Sequence, residues 1–227
     1  MERPEVIINV ACSLDGVIAS NKGALILSTT EDWLRVHKLR NSVDAILVGV
    51  NTIIKDDSLL TVRYVKPRDT PPLRLVLDSK CRTPLSAQVL DKQESIPTVI
   101  FTSKNCPEEK KKKLTDLKVN VIPVDTKEET KFLDLRQILQ ILKSDFEVKK
   151  LLVEGGSTII TQFIKLELFD TMYIFYAPVF AGTKKAKLLY DEIVIDDIDD
   201  TNIFNITKIE KLDEGFLLTI KPQKDDK

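Results

Sequence analysis

The chain has 227 residues, of which 43% are hydrophobic and 30% are charged, and its 34 Lys and Arg residues nearly balance 35 Asp and Glu residues. This near-neutral composition lacks the basic excess that nucleic-acid-binding proteins use to neutralise phosphates, so no nucleic-acid partner is expected. No apolar run approaches the ~18 residues of a membrane-spanning helix, so no membrane partner is expected either.

The cysteine and histidine content further restricts the class of protein. Cys12, Cys81 and Cys106 are widely spaced and odd in number, which favours neither a disulfide framework nor a zinc site. Reduced thiols in a cytoplasmic protein are therefore expected, and the charged N-terminus lacks the basic-then-apolar order of a secretory signal. His37 is the single histidine of the sequence, which excludes His-rich metal sites, and no metal is expected.

Strands and helices alternate along the first three-quarters of the predicted chain. Strands are predicted at short apolar runs, namely residues 6–12, 45–49, 73–77, 98–102, 119–124, 151–153 and 171–177. Helical segments are predicted between them at residues 31–41, 51–55, 107–118, 134–144 and 157–166. Thr29 and Asp32 have the spacing of a capping box, and Asp134 is the predicted cap of an amphipathic helix.

The C-terminal part of the sequence has a different pattern. Residues 203–212 and 216–221 flank Asp213-Glu214-Gly215, which is typical of an antiparallel hairpin. The predicted fold is thus α/β, with a mixed, mostly parallel sheet flanked by helices and a C-terminal antiparallel hairpin. Because no Gly/Ser-rich or Pro-rich linker interrupts the chain, a single domain over residues 1–227 is expected.

Common nucleotide-binding motifs are absent from the sequence. Seven glycines include no GxG pair, so the dinucleotide-binding fingerprint is missing, and no Walker A pattern occurs. The candidate sites are instead loops at the carboxyl ends of predicted strands, where ligands bind in open α/β sheets.

The segment Glu154-Gly155-Gly156-Ser157-Thr158 is the first such candidate. Two glycines between a strand and a helix allow close backbone approach to a ligand, and the helix N-terminus suits a phosphate. The carboxylate of Glu154 is suited to sugar hydroxyls. The alternative is a plain glycine turn with Ser157 as the helix cap.

Two further candidate loops contain charged residues. Thr52 and Asp56 would share one face of a helical turn, and the adjacent carboxylates of Asp56 and Asp57 could hold sugar hydroxyls or coordinate a metal ion. Arg63 is a candidate phosphate ligand. The alternative is a solvated loop with an ordinary surface arginine. The loop Ser79-Lys80-Cys81-Arg82 offers one hydroxyl and two cations to a cofactor phosphate, or is simply a basic turn; Cys81 is interpreted as a passive thiol.

Taken in order, these segments resemble the riboflavin-biosynthesis pyrimidine reductase family, in its stand-alone archaeal and fungal type. The motifs that resemble it are Ser13-Leu14-Asp15-Gly16, Leu39-Arg40 before a strand that ends at Val48-Gly49, the long string from Thr52-Ile53-Ile54-Lys55-Asp56-Asp57 to Leu60-Thr61-Val62-Arg63, Leu77-Asp78-Ser79-Lys80-Cys81-Arg82-Thr83-Pro84, Glu154-Gly155-Gly156 and Ala177-Pro178. The resemblance covers nearly the whole chain. It implies a dihydrofolate-reductase-like fold and a homodimer.

The resemblance also implies an activity and a cofactor. The activity is NADPH-dependent reduction of the ribosyl side chain of 2,5-diamino-6-ribosylamino-4(3H)-pyrimidinone 5′-phosphate to the ribitylamino product, with NADH as the alternative donor. The chain lacks the H-x-E and P-C-x-x-C signature of a zinc deaminase, so reduction without deamination is expected. The alternatives are a related reductase on the same fold and a non-catalytic nucleotide-binding protein.

The site residues follow from the resemblance, position by position. The cofactor-binding residues that it implies are Thr52, Asp56, Ser79, Lys80, Cys81, Arg82, Leu133, Gly156, Ser157, Thr158 and Ile159. The substrate-binding residues that it implies are Ser28, Asp57, Leu60, Arg63 and Glu154, with Arg63 near the phosphate. No catalytic residue is assigned, and Asp57 and Glu154 are candidates for moving a proton.

Overall fold

The computed structural model describes residues 2–20, 23–127, 132–182, 186–190 and 203–223. Within these ranges the strands are β1 (Glu5–Ser13), β2 (Val17–Ser20), β3 (Gly23–Ala24), β4 (Ala45–Gly49), β5 (Leu73–Leu77), β6 (Thr98–Ser103), β7 (Asn120–Val124), β8 (Lys150–Gly155), β9 (Thr171–Ala177), β10 (Lys187–Leu188), β11 (Phe204–Leu212) and β12 (Gly215–Pro222). The helices are α1 (Thr30–Asn41), α2 (Val50–Asp56), α3 (Glu108–Asp116), α4 (Leu135–Ser144) and α5 (Ser157–Lys165), with a 3₁₀ turn at Gln88–Leu90.

The chain divides into two compact units, each of which is described by itself. Unit 1 comprises Met1–Glu5 and His37–Leu152, and unit 2 comprises Val6–Val36 and Val153–Lys227. Strand β1, helix α1 and strand β8 each contain a boundary between the units.

Unit 1 contains four parallel strands in the order β4-β5-β6-β7. These strands are short apolar runs, and Leu47, Leu75 and Ile100 are completely buried, as expected for parallel strands covered on both faces. Gly49 pairs with Leu77, and Leu77 pairs with Phe101, so the carboxyl ends of β4, β5 and β6 lie at one edge. The loops that follow these strands are therefore neighbours.

Helix α4 shows how the sequence pattern positions an element of unit 1. The Asp134 side chain accepts hydrogen bonds from the backbone N–H groups of Arg136 and Gln137, as predicted for an N-cap. One helical stripe is buried, and it consists of Leu135, Ile138, Leu139 and Leu142. Each such side chain contributes about 1.5–3 kcal/mol when it leaves water, so this stripe anchors the helix.

Unit 2 contains parallel and antiparallel strands. β1 and β9 are parallel, β12 is antiparallel to β9, and β11 is antiparallel to β12. β2 also pairs antiparallel with β3 and with β10. A buried cluster of Phe175, Ala177 and Leu217 joins β9 to β12.

The predicted elements agree with the structure. The α/β class, the mixed and mostly parallel strand arrangement and the C-terminal antiparallel hairpin are confirmed. Thr29 caps α1 as predicted, because its Oγ1 accepts the Asp32 backbone N–H at 3.3 Å. The short strands β2, β3 and β10 and the 3₁₀ turn were not predicted, since a few residues do not establish a periodicity. The single-domain organisation stays a prediction.

Candidate functional site

The loop after β5 in unit 1 contains four of the residues expected at the cofactor. Asp78, which is completely buried, closes this loop at its base. Its Oδ2 accepts hydrogen bonds from the backbone N–H of Thr83 at 2.7 Å and from Thr83 Oγ1 at 2.8 Å, and its carbonyl accepts the Cys81 N–H at 3.1 Å. Lys80 and Arg82 are exposed. The loop is thus a fixed turn that presents two cations to solvent.

Side chains from both neighbouring strand ends hold this loop. Arg82 Nη1 donates to Asn51 Oδ1 at 3.1 Å, at the start of α2, next to the half-buried Thr52. Ser103 Oγ, at the end of β6, donates to the Ser79 carbonyl at 2.7 Å. The structure therefore brings together the predicted cofactor residues that follow β4 and β5, as expected from adjacent parallel strands.

A disulfide bond joins Cys81 and Cys106, with their Cα atoms 5.5 Å apart. The expectation that all thiols are reduced is therefore wrong for this pair. The two cysteines lie in the loops after the adjacent strands β5 and β6, a proximity that their separation of 25 residues does not reveal. Cys81 is 6% exposed, and its sulfur is held in this bond. Cys12 is a buried free thiol, and burial raises its pKa to about 12.

The carboxylate of Asp57 is bound by a residue that the sequence analysis did not identify. Asp57 follows α2 in the left-handed conformation, with φ of 44°. Its Oδ1 accepts the Gln88 backbone N–H and its Oδ2 accepts Gln88 Nε2, each at 2.9 Å. Leu60 also has a positive φ of 51° and is 2% exposed. Leu60 therefore offers little accessible surface in this conformation, and Asp57 has a structural role in addition to the predicted one.

The neighbourhood of Arg63 was also not foreseen. The Arg63 side chain is exposed, and its Nη1 donates to Thr61 Oγ1 at 3.1 Å. Its backbone N–H donates to Nδ1 of the fully buried His37 at 3.0 Å. Arg40 Nη1 donates to the Thr61 carbonyl at 3.0 Å. Arg63 thus belongs to a loop that is tied to the last turns of α1.

Leu133 and Asp56 have different environments in unit 1. Leu133 forms an isolated bridge with Thr126 and is 6% exposed. Asp56, the last residue of α2, is exposed.

Unit 2 contains the second predicted phosphate-binding feature. β8 ends at Gly155, whose φ of 124° favours glycine, and the Gly155–Gly156 peptide is cis. Gly156 is the N-cap of α5, so the alternative in which Ser157 is the cap is wrong. Ser157 is buried, whereas Thr158 and Ile159 are half-buried. The first N–H groups of a helix have no carbonyl partner within it, and the helix dipole favours an anion there.

Two predicted substrate residues and one sequence motif also lie in unit 2. Ser28 and Glu154 are half-buried. Asp15, from the Ser13-Leu14-Asp15-Gly16 motif, accepts hydrogen bonds from Ser13 Oγ at 2.6 Å and from the backbone N–H groups of Ala181 and Gly182. These hydrogen bonds lower the pKa of Asp15 to about 2, and the bond from Ser13 has the largest effect. Asp15 therefore fastens the turn after β1 to the segment after β9.

The described ranges contain no group of three or more His, Cys, Asp or Glu side chains placed to hold a metal ion. Among the helices of these ranges, none has the length and apolar composition needed to cross a membrane.

A family model for the RibD C-terminal domain matches residues 4–218. The chain belongs to the RibD C-terminal domain family. A 2,5-diamino-6-ribosylamino-4(3H)-pyrimidinone 5′-phosphate reductase from Archaeoglobus fulgidus is 36% identical over 228 residues, and the alignment covers 96% of this chain and 98% of that protein. The family expected from the sequence motifs is therefore confirmed.

Some of the proteins that this chain matches are longer than it is. A riboflavin biosynthesis protein RibD from Aquifex aeolicus is 37% identical over 221 residues, but the chain spans only 58% of that protein. A solved structure of RibD from Acinetobacter baumannii aligns with a TM-score of 0.83 and 25% identity over 98% of this chain and 59% of that one. This similarity confirms the expected dihydrofolate-reductase-like fold.

The residues that sequence analysis missed are mainly those that hold the predicted ones in place. His37, Arg40, Gln88 and Asp78 each bind a loop that contains a predicted site residue. Hydrogen bonds between positions distant in sequence leave no periodic pattern, so no sequence signal identifies them. Arg40 and Asp78 do lie within quoted motifs of this family, but neither side chain was assigned a role there.

Proposed function

We propose that the protein reduces the ribosyl side chain of 2,5-diamino-6-ribosylamino-4(3H)-pyrimidinone 5′-phosphate to the ribitylamino product with NADPH. The observation that supports this substrate most directly is the near-full-length similarity to the archaeal reductase of that name. The exposed cations on fixed loops in unit 1 support it independently, because both substrate and cofactor are phosphorylated.

The donor set of the chain fits NADPH. The exposed Lys80 and Arg82 are suited to the 2′-phosphate, which NADH lacks, so NADPH is the proposed donor and NADH the weaker alternative. The start of α5 is suited to a second phosphate. The other residues proposed to contact the cofactor are Thr52, Asp56, Ser79, Cys81, Leu133, Gly156, Ser157, Thr158 and Ile159.

In the proposed reaction the protein itself takes little part in making or breaking covalent bonds. Bound NADPH would supply a hydride for the sugar carbon of the ring-opened substrate. The protein would orient the substrate, with Arg63 on its phosphate and with Ser28, Asp57, Leu60 and Glu154 on its other groups. A proton must also reach the substrate, and Asp57 and Glu154 are the candidates for moving it.

The proton step can be tested by removing each carboxylate in turn. Both oxygens of Asp57 already accept hydrogen bonds from Gln88. If Glu154 moves the proton, Glu154→Gln will lower kcat by about 10²–10⁴-fold, the range for a lost general acid or base, while Asp57→Asn will lower it less. The reverse order would assign the step to Asp57.

The overall function is tested by mixing the purified protein with NADPH and the ribosylamine phosphate. Loss of NADPH absorbance together with formation of the ribitylamino product is expected. Reduction of dihydrofolate would instead favour a related reductase on the same fold. Tight NADPH binding without turnover of either compound would favour a non-catalytic nucleotide-binding protein.

We also propose a homodimer of single-domain chains in the cytoplasm. Ile206 and Ile209 on β11 are 58% and 66% exposed, and they pair with Ile220 and Leu218 of β12. Side chains opposite each other in a pair share a face, so the two exposed isoleucines and the half-buried Leu218 and Ile220 form an exposed apolar patch of the kind that a second copy covers. Because disulfides are uncommon in the cytosol, thiol alkylation in intact cells, followed by mass analysis of Cys81 and Cys106, tests the compartment.

A further inference from the structure

The connection between α2 and β5, residues 57–72, contains neither helix nor strand. Irregular connections longer than about 12–15 residues are uncommon and usually have a function. This one includes Asp57, Leu60 and Arg63, which are among the proposed substrate-binding residues. What holds such a loop in one conformation is therefore of direct functional interest.

Side chains from the last turns of α1 bind the backbone of this loop. His37 Nδ1 accepts the Arg63 backbone N–H at 3.0 Å, and the His37 ring packs edge-on against Tyr64 with the ring centroids 4.7 Å apart. Arg40 Nη1 donates to the Thr61 carbonyl at 3.0 Å. The backbone is thus fixed on both sides of residue 62.

The residues of this cluster differ in their exposure to solvent. His37 is completely buried and Arg40 is 8% exposed, whereas the Arg63 side chain is exposed. Arg63 Nη1 also donates to Thr61 Oγ1 at 3.1 Å, and the carbonyl of the same threonine is held by Arg40. The orientation of the exposed guanidinium therefore depends on two buried side chains of a helix.

We propose that His37 and Arg40 are positioning residues that hold Arg63 in place for the substrate phosphate. This inference rests on the proposed function, in which Arg63 binds that phosphate. An arginine side chain loses up to about 2 kcal/mol of rotamer freedom when it is fixed, so holding its backbone and one guanidinium nitrogen beforehand reduces the cost of binding. Because Nδ1 of His37 acts as an acceptor, the neutral ring has its proton on Nε2.

Substitutions at His37 separate its hydrogen bond from its packing. In His37→Phe the ring against Tyr64 is kept and the acceptor is lost, whereas in His37→Asn the side-chain oxygen takes a position near that of Nδ1. We expect His37→Phe to raise the KM for the phosphorylated substrate about tenfold, with kcat and the KM for NADPH within about twofold of wild type. His37→Asn should restore most of the affinity, and Arg40→Met should resemble His37→Phe.

A neighbouring residue provides the matched control. Asn41 binds the Lys66 carbonyl and the Arg68 N–H, so it anchors the same loop beyond Arg63. Asn41→Ala is therefore expected to leave the KM for the phosphorylated substrate unchanged. In an Arg63→Ala background, His37→Phe should raise that KM by less than about twofold more. The proposal would be overturned if His37→Phe had the wild-type KM, or if Asn41→Ala raised the KM as much as His37→Phe does. It would also be overturned if the effects of His37→Phe and Arg63→Ala on the KM were additive.

A binding measurement tests positioning without turnover. Titration calorimetry of the full chain with ribose 5-phosphate should show weaker binding in both His37→Phe and Arg63→Ala, while ribose binding stays equal in all proteins. Wild-type ribose 5-phosphate affinity in His37→Phe would overturn the positioning role. A different result would separate the two proposals. If the proteins bind ribose 5-phosphate in this pattern but the wild type does not oxidise NADPH with the ribosylamine phosphate, the proposed function is contradicted and the positioning role is retained.

Discussion

Buried charged side chains in unit 1 bind backbone groups of loops. Asp78 accepts the Thr83 N–H, and Arg40 donates to the Thr61 carbonyl. Arg74, which is 1% exposed, donates through Nη2 to the carbonyls of Asp91 and Ile96, and burial lowers its pKa to about 10. A buried charge is costly unless it is well bonded, so each of these residues fixes the conformation of the loop that it binds.

Asp15 should make the stability of the protein depend on acid pH. Its pKa falls from the ordinary 3.8 to about 2 on folding, so the ionised form stabilises the folded state. That contribution is complete above pH ~4 and is lost as the pH falls toward ~2. Asp15→Asn should therefore lower the thermal midpoint at neutral pH, and its difference from wild type should shrink between pH 4 and 2. A constant difference over this range would contradict the assignment.

Arg82 should determine the preference for NADPH over NADH. A charge-assisted hydrogen bond contributes about 1.5–3 kcal/mol, so Arg82→Ala should raise the KM for NADPH by roughly 10–100-fold and change the KM for NADH little. Lys104→Ala is the matched control, because Lys104 is an exposed cation in the next loop that already pairs with Asp125 at 2.6 Å. Equal changes for the two cofactors would show that Arg82 does not bind the 2′-phosphate.

At the scale of elements, the sequence predicted every long helix and strand, because apolar periodicity and capping residues are local signals. The details of the loops were less accessible. The burial of Leu60 was not predicted, and Cys81 was expected to be a free thiol but is bonded to Cys106. Both outcomes depend on which strands and helices become neighbours, and one-dimensional patterns do not encode that.

Gly215 should be essential to the C-terminal hairpin. A Cβ at this position would lie 2.4 Å from the Tyr176 carbonyl oxygen and 2.6 Å from Phe175 Cζ, and the backbone of β9 cannot easily move away. Gly215→Ala is expected to lower the free energy of unfolding by about 3 kcal/mol. Gly16→Ala is the comparison, since its Cβ meets nothing within 4 Å although its φ is +77°, and about 1 kcal/mol is expected. Urea denaturation measures both values, and the reverse order would refute the steric explanation.

At the scale of the whole molecule, family and fold could be predicted because several short motifs occur in one order along nearly the full chain. The roles of single site residues remain proposals, since they depend on ligand contacts. Predicted cofactor residues such as Thr52 and Lys80 do lie at neighbouring strand ends of unit 1. The residues that hold these loops in place, such as His37, could not be predicted, because they act through another residue.

The exposed apolar patch of β11 and β12 should control self-association. Ile209→Asp places a charge in this patch and is expected to give a folded monomer, whereas wild type should elute as a dimer in size-exclusion chromatography with light scattering. Glu210→Lys is the control, because Glu210 pairs with the buried Leu217 and lies on the other face of the hairpin. A dimeric Ile209→Asp protein would exclude this patch as the interface.

The bond between Cys81 and Cys106 leaves a signature in peptide mapping. Trypsin cleaves after Lys80, Arg82, Lys104 and Lys110, so digestion excises residues 81–82 and 105–110 as two small peptides. With the bond intact, these peptides have one combined mass, and reduction separates them. The cross-link thus ties a dipeptide from the proposed cofactor loop to the start of α3, and the fraction of bonded molecules in any preparation can be counted directly.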